Sequence, residues 1–363
     1  RDDVESRGLG DVYKRQVTGR MLLDGGVYLK NDNNFGNGVE FNDLRIGAKV
    51  AYQNWDMKLE IGYTGNKATI KDAFAKYTYK NHSIQVGQFY EPFSLEMMCS
   101  TFDIRFNQSP GAVLALTNGR RMGITYSYRN KRYYMSGGAF MDNEVNNLKK
   151  ASHGYALDGR VVYRPVLDSK KLIHIGFAAN YRTPNESLNE EDKNIFIYKS
   201  PGVSTIDNRN IAMATIDHAA YQIKFGTELL VYYHRFCLQS EYIRTHVERD
   251  NAFKNYVAQG AYLQCSWLLS GETYLYDESV ACAGRPEGKS LEVCSRFNYL
   301  TLNDEDAAIW GGEQKDISIG LNYYINKYIG IKLNYSYLMP GASIKEISRK
   351  NFSVFQGRFQ FIF

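Results

Sequence analysis

A closed, antiparallel, all-β transmembrane barrel of about sixteen strands is the fold this sequence predicts. Three observations predict it. Apolar and polar residues alternate from Val17 to the end, the connections alternate between short and long, and the chain stops on an aromatic stripe. In VFQGRFQFIF, Phe355, Phe359, Phe361 and Phe363 share one parity, while Gln356, Arg358 and Gln360 hold the other. Terminal residues of a water-soluble domain usually fray in solvent. A terminal row of Phe needs an apolar partner, and lipid supplies one.

The elements follow in order. Residues 1–16 lack apolar periodicity and read as a scar from sequencing or cloning, outside a single barrel domain at 17–363. After a strand at 17–30 comes a hairpin. Leu44, Ile46, Ala48 and Val50 oppose Arg45, Gly47 and Lys49; beyond the Gln53–Asn54 turn, Trp55, Met57, Leu59, Ile61 and Tyr63 oppose Asp56, Lys58 and Glu60. Further strands are expected near 69–80, 82–90, 121–129, 132–141, 154–165, 171–183, 219–233, 235–247, 255–269 and 289–301. A second hairpin repeats the pattern, with Ile317, Ile319, Leu321 and Tyr323 before Asn326–Lys327 and Ile329, Ile331 and Leu333 after it. The strand at 350–363 closes the count.

Short turns fall near Gln53, Asn81, Asn130, Asp168, His234 and Asn326, and longer connections at 31–40, 91–120, 142–153, 184–218, 248–254, 302–313 and 339–349. Short turns on one rim and long loops on the other characterise barrels of the bacterial outer membrane. Two segments break the rhythm: 65–68 is short on the long-loop rim, and 270–288 is long on the short-turn rim.

Composition agrees. The 363 residues include 29 Tyr, 31 Gly and only 7 Pro, a strand-rich balance. Mean hydropathy is −0.43 and no apolar run is long enough for a membrane helix. A net charge of +5 is too mild to imply nucleic acid. The five cysteines form no CxxC and suggest no metal site, although a pair such as Cys282–Cys294 is conceivable. None of the six histidines sits in a GxSxG or HExxH context, so no enzyme and no cofactor are expected; His174 reads as part of the wall.

Parity sends Arg45, Lys49, Lys58, Lys76, Arg121, Arg160, Arg164, Lys224, Arg296, Lys332 and Arg358 inward, with Asp56, Glu60, Asp158, Glu228, Glu241 and Glu292. Basic residues outnumber acidic ones, which favours an entering anion, although cross-strand pairing would neutralise many of them. Segment 91–120 carries Phe93, Leu95, Met97, Met98, Phe102 and Phe106, which need a surface to pack on, so it is the expected constriction loop.

Several stretches resemble the phosphate-selective porin O and P family of Gram-negative outer membranes. VGQFYEPFSLE resembles the family's approach to an inward-folded loop, and GRVVYRP, YVAQGAYLQCSWLLSGE, LEVCSRFNYL, ISIGLNYYINKYIGIKLNYSY and GRFQFIF resemble later strands. The resemblance runs from about residue 40 to the end. It implies a trimeric, sixteen-stranded porin in outer-membrane lipid that conducts small anions such as phosphate. It also implies a pore narrowed by 91–120, which makes Arg105, Arg120 and Arg121 the eyelet candidates. A nonspecific or oligosaccharide-permeable pore, with Tyr232 and Tyr324 stacking sugar rings, is the alternative. A barrel with a plugged interior is a third.

Overall fold

The computed structural model describes residues 13–30, 32–64, 67–141, 152–186, 194–207, 209–250, 252–341 and 350–363. Residues 1–12 of the expected scar lie outside them, as do parts of the connections at 65–68, 142–153, 184–218 and 339–349.

Sixteen antiparallel strands close into one barrel. The first nine are β1 (Tyr13–Leu29), β2 (Gly38–Tyr52), β3 (Trp55–Thr64), β4 (Lys67–Tyr79), β5 (His82–Tyr90), β6 (Arg120–Arg129), β7 (Tyr133–Met141), β8 (Tyr155–Leu167) and β9 (Lys171–Arg182). A two-stranded ribbon, β10 (Phe196–Ser200) and β11 (Ala212–Ile216), then leaves the wall. The wall resumes with β12 (Ala219–Tyr233), β13 (Phe236–Arg249) and β14 (Tyr256–Ser270). A second ribbon, β15 (Tyr274–Asp277) and β16 (Cys282–Pro286), interrupts it before β17 (Ser290–Asp304), β18 (Ile309–Tyr324), β19 (Ile329–Pro340) and β20 (Phe352–Ile362). Wall strands of nine to seventeen residues are long enough to span a bilayer when tilted. β1 starts four residues before the expected Val17 and pairs with β2 from Tyr13↔Tyr52 onward.

The alternation read from sequence is the alternation of the wall. Ile46, Leu59, Ile84, Val86, Ile124, Ile175, Ile319 and Leu333 lie exposed on the outside. Tyr52, Trp55, Tyr79, Tyr133, Tyr163, Tyr233, Trp267 and Tyr328 are exposed near the short-turn rim, and Tyr63 and Tyr155 toward the other. Amphipathic rings at both edges of an apolar band match the two interfaces of a bilayer. Hydrocarbon offers no partner to an unpaired strand edge, so the wall must close on itself.

The seam between β1 and β20 shows how closure is secured. Met21↔Phe361, Leu23↔Phe359 and Val27↔Phe355 put the terminal aromatic row on the lipid side. Inside, Arg358 grips Asp24 with two bonds of 2.6 and 2.7 Å. Phe363 exchanges main-chain bonds of 3.0 and 3.1 Å with Gly19, so the ladder runs to the last residue. A Cβ on Gly19 would lie 2.2 Å from the Phe363 ring, which is why a glycine faces it.

Candidate functional site

The barrel is not an empty tube. Residues 91–119, between β5 and β6, fold inside, as the apolar content of this segment predicts. Phe93, Leu95, Phe102 and Phe106 are buried there. The segment forms two short helices, α1 (Leu95–Met98) and α2 (Gly111–Leu116). Irregular backbone away from water must find partners for its amides and carbonyls. The wall supplies them. Glu241 accepts from the Leu95 and Glu96 amides at 3.0 and 2.8 Å, and Asn298 from Ala112 at 3.0 Å. Arg296 donates to the Gln108 carbonyl at 2.8 Å, Asn322 to Arg105 at 2.9 Å and Arg358 to Asn107 at 2.7 Å. Lys332 donates to the Ile104 carbonyl.

The long connection on the short-turn rim, 271–289, also turns inward as the β15–β16 hairpin. Arg160 donates to the Val280 and Ala281 carbonyls, each at 2.7 Å, and pairs with Glu228 at 2.8 Å. His174 bridges Glu228 at 2.9 Å and the Tyr276 hydroxyl at 3.0 Å, so it holds the hairpin as part of the wall. The hairpin meets the inserted loop. Arg105 donates to the Gly284 carbonyl at 2.9 Å and pairs with Glu292 at 2.9 Å, and Arg285 pairs with Asp103 at 2.8 Å. Burial opposes the charge of Arg105, but the Glu292 carboxylate overrides it and holds the guanidinium well above its ordinary value.

With one side of the barrel filled, a cavity of about 930 Å³ remains on the other. Its wall is β1 to β6 with Tyr134 of β7; the inserted loop and the tip of the hairpin face it. Four cations there share three carboxylates. Asp43 lies 2.5 Å from Arg45 and 3.4 Å from Arg20; Glu60 lies 2.9 Å from Arg45 and 3.3 Å from Lys58; Asp72 lies 2.6 Å from Lys58 and 2.5 Å from Arg120. Three further cations, Lys49, Lys76 and Arg129, line the same cavity, and among the described residues none of them is ion-paired. Asp277 and Glu278 at the hairpin tip face this basic wall from across the cavity.

Of the residues singled out in the sequence, Arg45, Lys49, Lys58, Lys76 and Arg120 border the cavity. Arg105, Arg160, Lys224 and Arg296 point inward but are buried struts; Lys224 donates to Asn118 at 3.0 Å. Arg121 is half-buried, does not line the cavity, and donates to the Arg120 carbonyl at 2.8 Å. Tyr232 and Tyr324 offer no ring to a sugar, being packed out of sight, with the Tyr232 hydroxyl on the Leu275 carbonyl at 3.1 Å. Cys282 and Cys294 are not bonded to each other.

Simple parity would send Arg120 to the opposite side from Arg121. Regular alternation ends at this end of the sheet, where β5 passes through Gly87 without losing register with β4 or β6. The φ of Gly87 is +134°, and a Cβ there would lie 2.2 Å from the Ala73 carbonyl, so only glycine fits. Beyond it both Phe89 and Tyr90 reach the cavity, and the Arg120 guanidinium lies 4.1 Å from the Tyr90 ring centre. Arg20 and Arg129 complete the basic wall without having been singled out, although Arg129 shares parity with Arg121 on the same strand.

The phosphate-selective porin O and P family model matches residues 16–363. An uncharacterized protein of Caulobacter vibrioides is 25% identical over 85% of this chain, and the chain spans 64% of that relative's length. Porin O of Pseudomonas aeruginosa is 21% identical over 89% of this chain and 82% of its own. Among solved structures, OmpT, an outer membrane protein of Vibrio cholerae, superposes with a TM-score of 0.63 at 9% identity, covering 97% of this chain and 98% of that one. An anion-selective porin from Comamonas acidovorans superposes with a TM-score of 0.61 at 11% identity over 97% and 100% of the two chains. The shared fold is a closed antiparallel β-barrel. With its sixteen-stranded wall, inserted loop and basic cavity, this chain belongs to the phosphate-selective porin O and P family of bacterial outer-membrane proteins.

Proposed function

We propose that the protein is a passive pore that prefers small anions such as phosphate, passing them along the β1–β6 side of its lumen. The observation that carries this reading is the row of Lys49, Lys76 and Arg129, facing the cavity without an ion-pair partner among the described residues. Around them, four cations share three carboxylates, so the wall keeps a net positive charge. An anion in such a cleft meets a favourable potential along its route. The ammonium groups of Lys49 and Lys76 are mobile point charges that offer weak sites in series. Conduction needs that: binding strong enough to admit an ion and weak enough to release it. Arg45, Lys58 and Arg120, each tied to a carboxylate, set the field more than they hold the ion. The buried Arg105, Arg160, Lys224 and Arg296 act by fixing the two insertions that leave this route open.

A homotrimer in outer-membrane lipid belongs to the same reading. It is supported by family membership and by the trimer form of OmpT, whose structure superposes with a TM-score of 0.61.

Liposome swelling tests the solute class. Proteoliposomes are expected to admit inorganic phosphate faster than neutral mono- and disaccharides of similar size. Faster sugar entry would instead establish the oligosaccharide-permeable alternative.

A further inference from the structure

Two segments that the wall does not need meet inside it. The inserted loop 91–119 comes from the long-loop rim, and the β15–β16 hairpin from the short-turn rim. Where they touch, α1 packs against β16. Cys99 closes α1 and Cys282 opens β16. Both belong to one buried cluster with Leu95, Ile104 and Ala283. The Cys99 thiol donates to the Leu95 carbonyl at 3.2 Å within its own helix, and Cys282 is the neighbour that most pushes the Cys99 thiol above its ordinary value. Both residues also line the cavity of about 930 Å³, which gives a small disulfide a way to the edge of this cluster.

The other three thiols are engaged elsewhere. Cys237 lies 4.0 Å from the Arg105 guanidinium. Cys294 lies 3.9 Å from the Arg105 carbonyl and 3.7 Å from Asn322. Cys265 lies on the outer wall beside Trp267 and Leu321.

We infer that Cys99 and Cys282 are joined by a disulfide in the outer-membrane protein, stapling the inserted loop to the hairpin. The lumen opens on an oxidising compartment, where disulfides form and persist. The chemistry is thiol–disulfide exchange with a small-molecule or protein disulfide, RSSR. One cysteine thiolate attacks RSSR and forms a mixed disulfide with loss of RS⁻. The second thiolate then attacks the cysteine sulfur of that mixed disulfide and expels the other RS⁻. The two protons lost by the cysteines convert both RS⁻ to RSH; the cysteines are oxidised and RSSR is reduced. The staple keeps Asp277 and Glu278 at a fixed distance from the basic wall. Reduction frees the hairpin and widens the route.

The test is peptide mapping of protein extracted from outer membranes in detergent and alkylated under denaturing conditions before any reduction. The Cys99 and Cys282 peptides are expected to be linked and to separate on adding dithiothreitol, with Cys237, Cys265 and Cys294 alkylated. Alkylation of both Cys99 and Cys282 without prior reduction, or a Cys282–Cys294 link, overturns the inference. Single-channel recordings test the consequence. Wild-type current is expected to rise when dithiothreitol is added, and the current of the C99S/C282S protein to stay constant. A wild-type current unchanged while the link is broken overturns the gating role.

Discussion

The two sides of the lumen treat charge in opposite ways. On the β8–β20 side charges are buried and tied down, some by carboxylates, as Arg105 by Glu292, Arg160 by Glu228 and Arg358 by Asp24, and others, such as Arg296 and Lys332, by backbone carbonyls. On the β1–β6 side cations outnumber their carboxylates and face a cavity. The difference lies in what each wall meets. The first meets backbone, whose carbonyls and amides need donors and acceptors. The second meets water, which solvates an unpaired ammonium at little cost. A basic residue on the first side is therefore a fastener, and on the second a part of the field.

The largest effect that sharpens this contrast comes from cutting a fastener. Arg105→Ala leaves Glu292 buried without its partner, and such a broken pair costs about 3–5 kcal/mol. Urea unfolding in detergent is expected to show that loss, with the inserted loop more open to proteolysis. Stability unchanged by this substitution would erase the distinction between the two sides.

On the open side the balance reverses. Lys49→Gln, Lys76→Gln and Arg129→Gln should each change stability by no more than about 0.5 kcal/mol. Each should lower the chloride-over-potassium permeability ratio about seven-fold, because a unit charge ~7 Å away in water contributes ~0.6 kcal/mol to each ion with opposite sign. Reversal potentials in planar bilayers give the ratio, and urea titration gives the stability.

Asp72→Asn acts the other way. It releases Lys58 and Arg120, raises the same permeability ratio, and costs about 1–3 kcal/mol, because both pairs are charge-assisted hydrogen bonds between largely buried side chains.

The smallest effect lies at the mouth. There the loop bearing Asp207 and Arg209 reaches the β1–β2 connection: Asp207 accepts from the Gly36 amide at 2.8 Å, and Arg209 donates to the Asn33 carbonyl at 2.9 Å. The Arg209 side chain pushes the Asp207 carboxyl down to about 2. A depressed carboxyl contributes stability that is present above its unfolded value, about 3.9, and fades as pH falls through the folded one. Hydrogen exchange at the Gly36 amide should therefore keep its protection from neutrality to about pH 4 and lose it toward pH 2. Loss of protection already near pH 6 would contradict the clasp.

Much of this was legible in the sequence, and particular residues show why. Phe359 and Ile331 announce a lipid face because strand parity alone decides it. The loop 91–119 announces an interior location because Phe102 and Phe106 have nothing outside to pack on. Parity also placed Arg160 and Lys49 on the same inner face, but it does not distinguish them. That difference depends on what lies opposite, and it was the 271–289 connection, visible only as an excess of length, that folded in over Arg160. The positive φ at Gly87 was equally out of reach, since the break in alternation beyond it, where Phe89 and Tyr90 both reach the cavity, leaves the apolar pattern before it undisturbed.

The central claim is that unmatched cations on the open side set the traffic. The zero-current potential of wild-type protein and of K49Q/K76Q/R129Q in planar bilayers under a KCl gradient tests it most directly. The account predicts an anion-preferring potential in the wild type that collapses toward zero in the triple variant. A cation-preferring wild type, or a triple variant with undiminished anion preference, would contradict it.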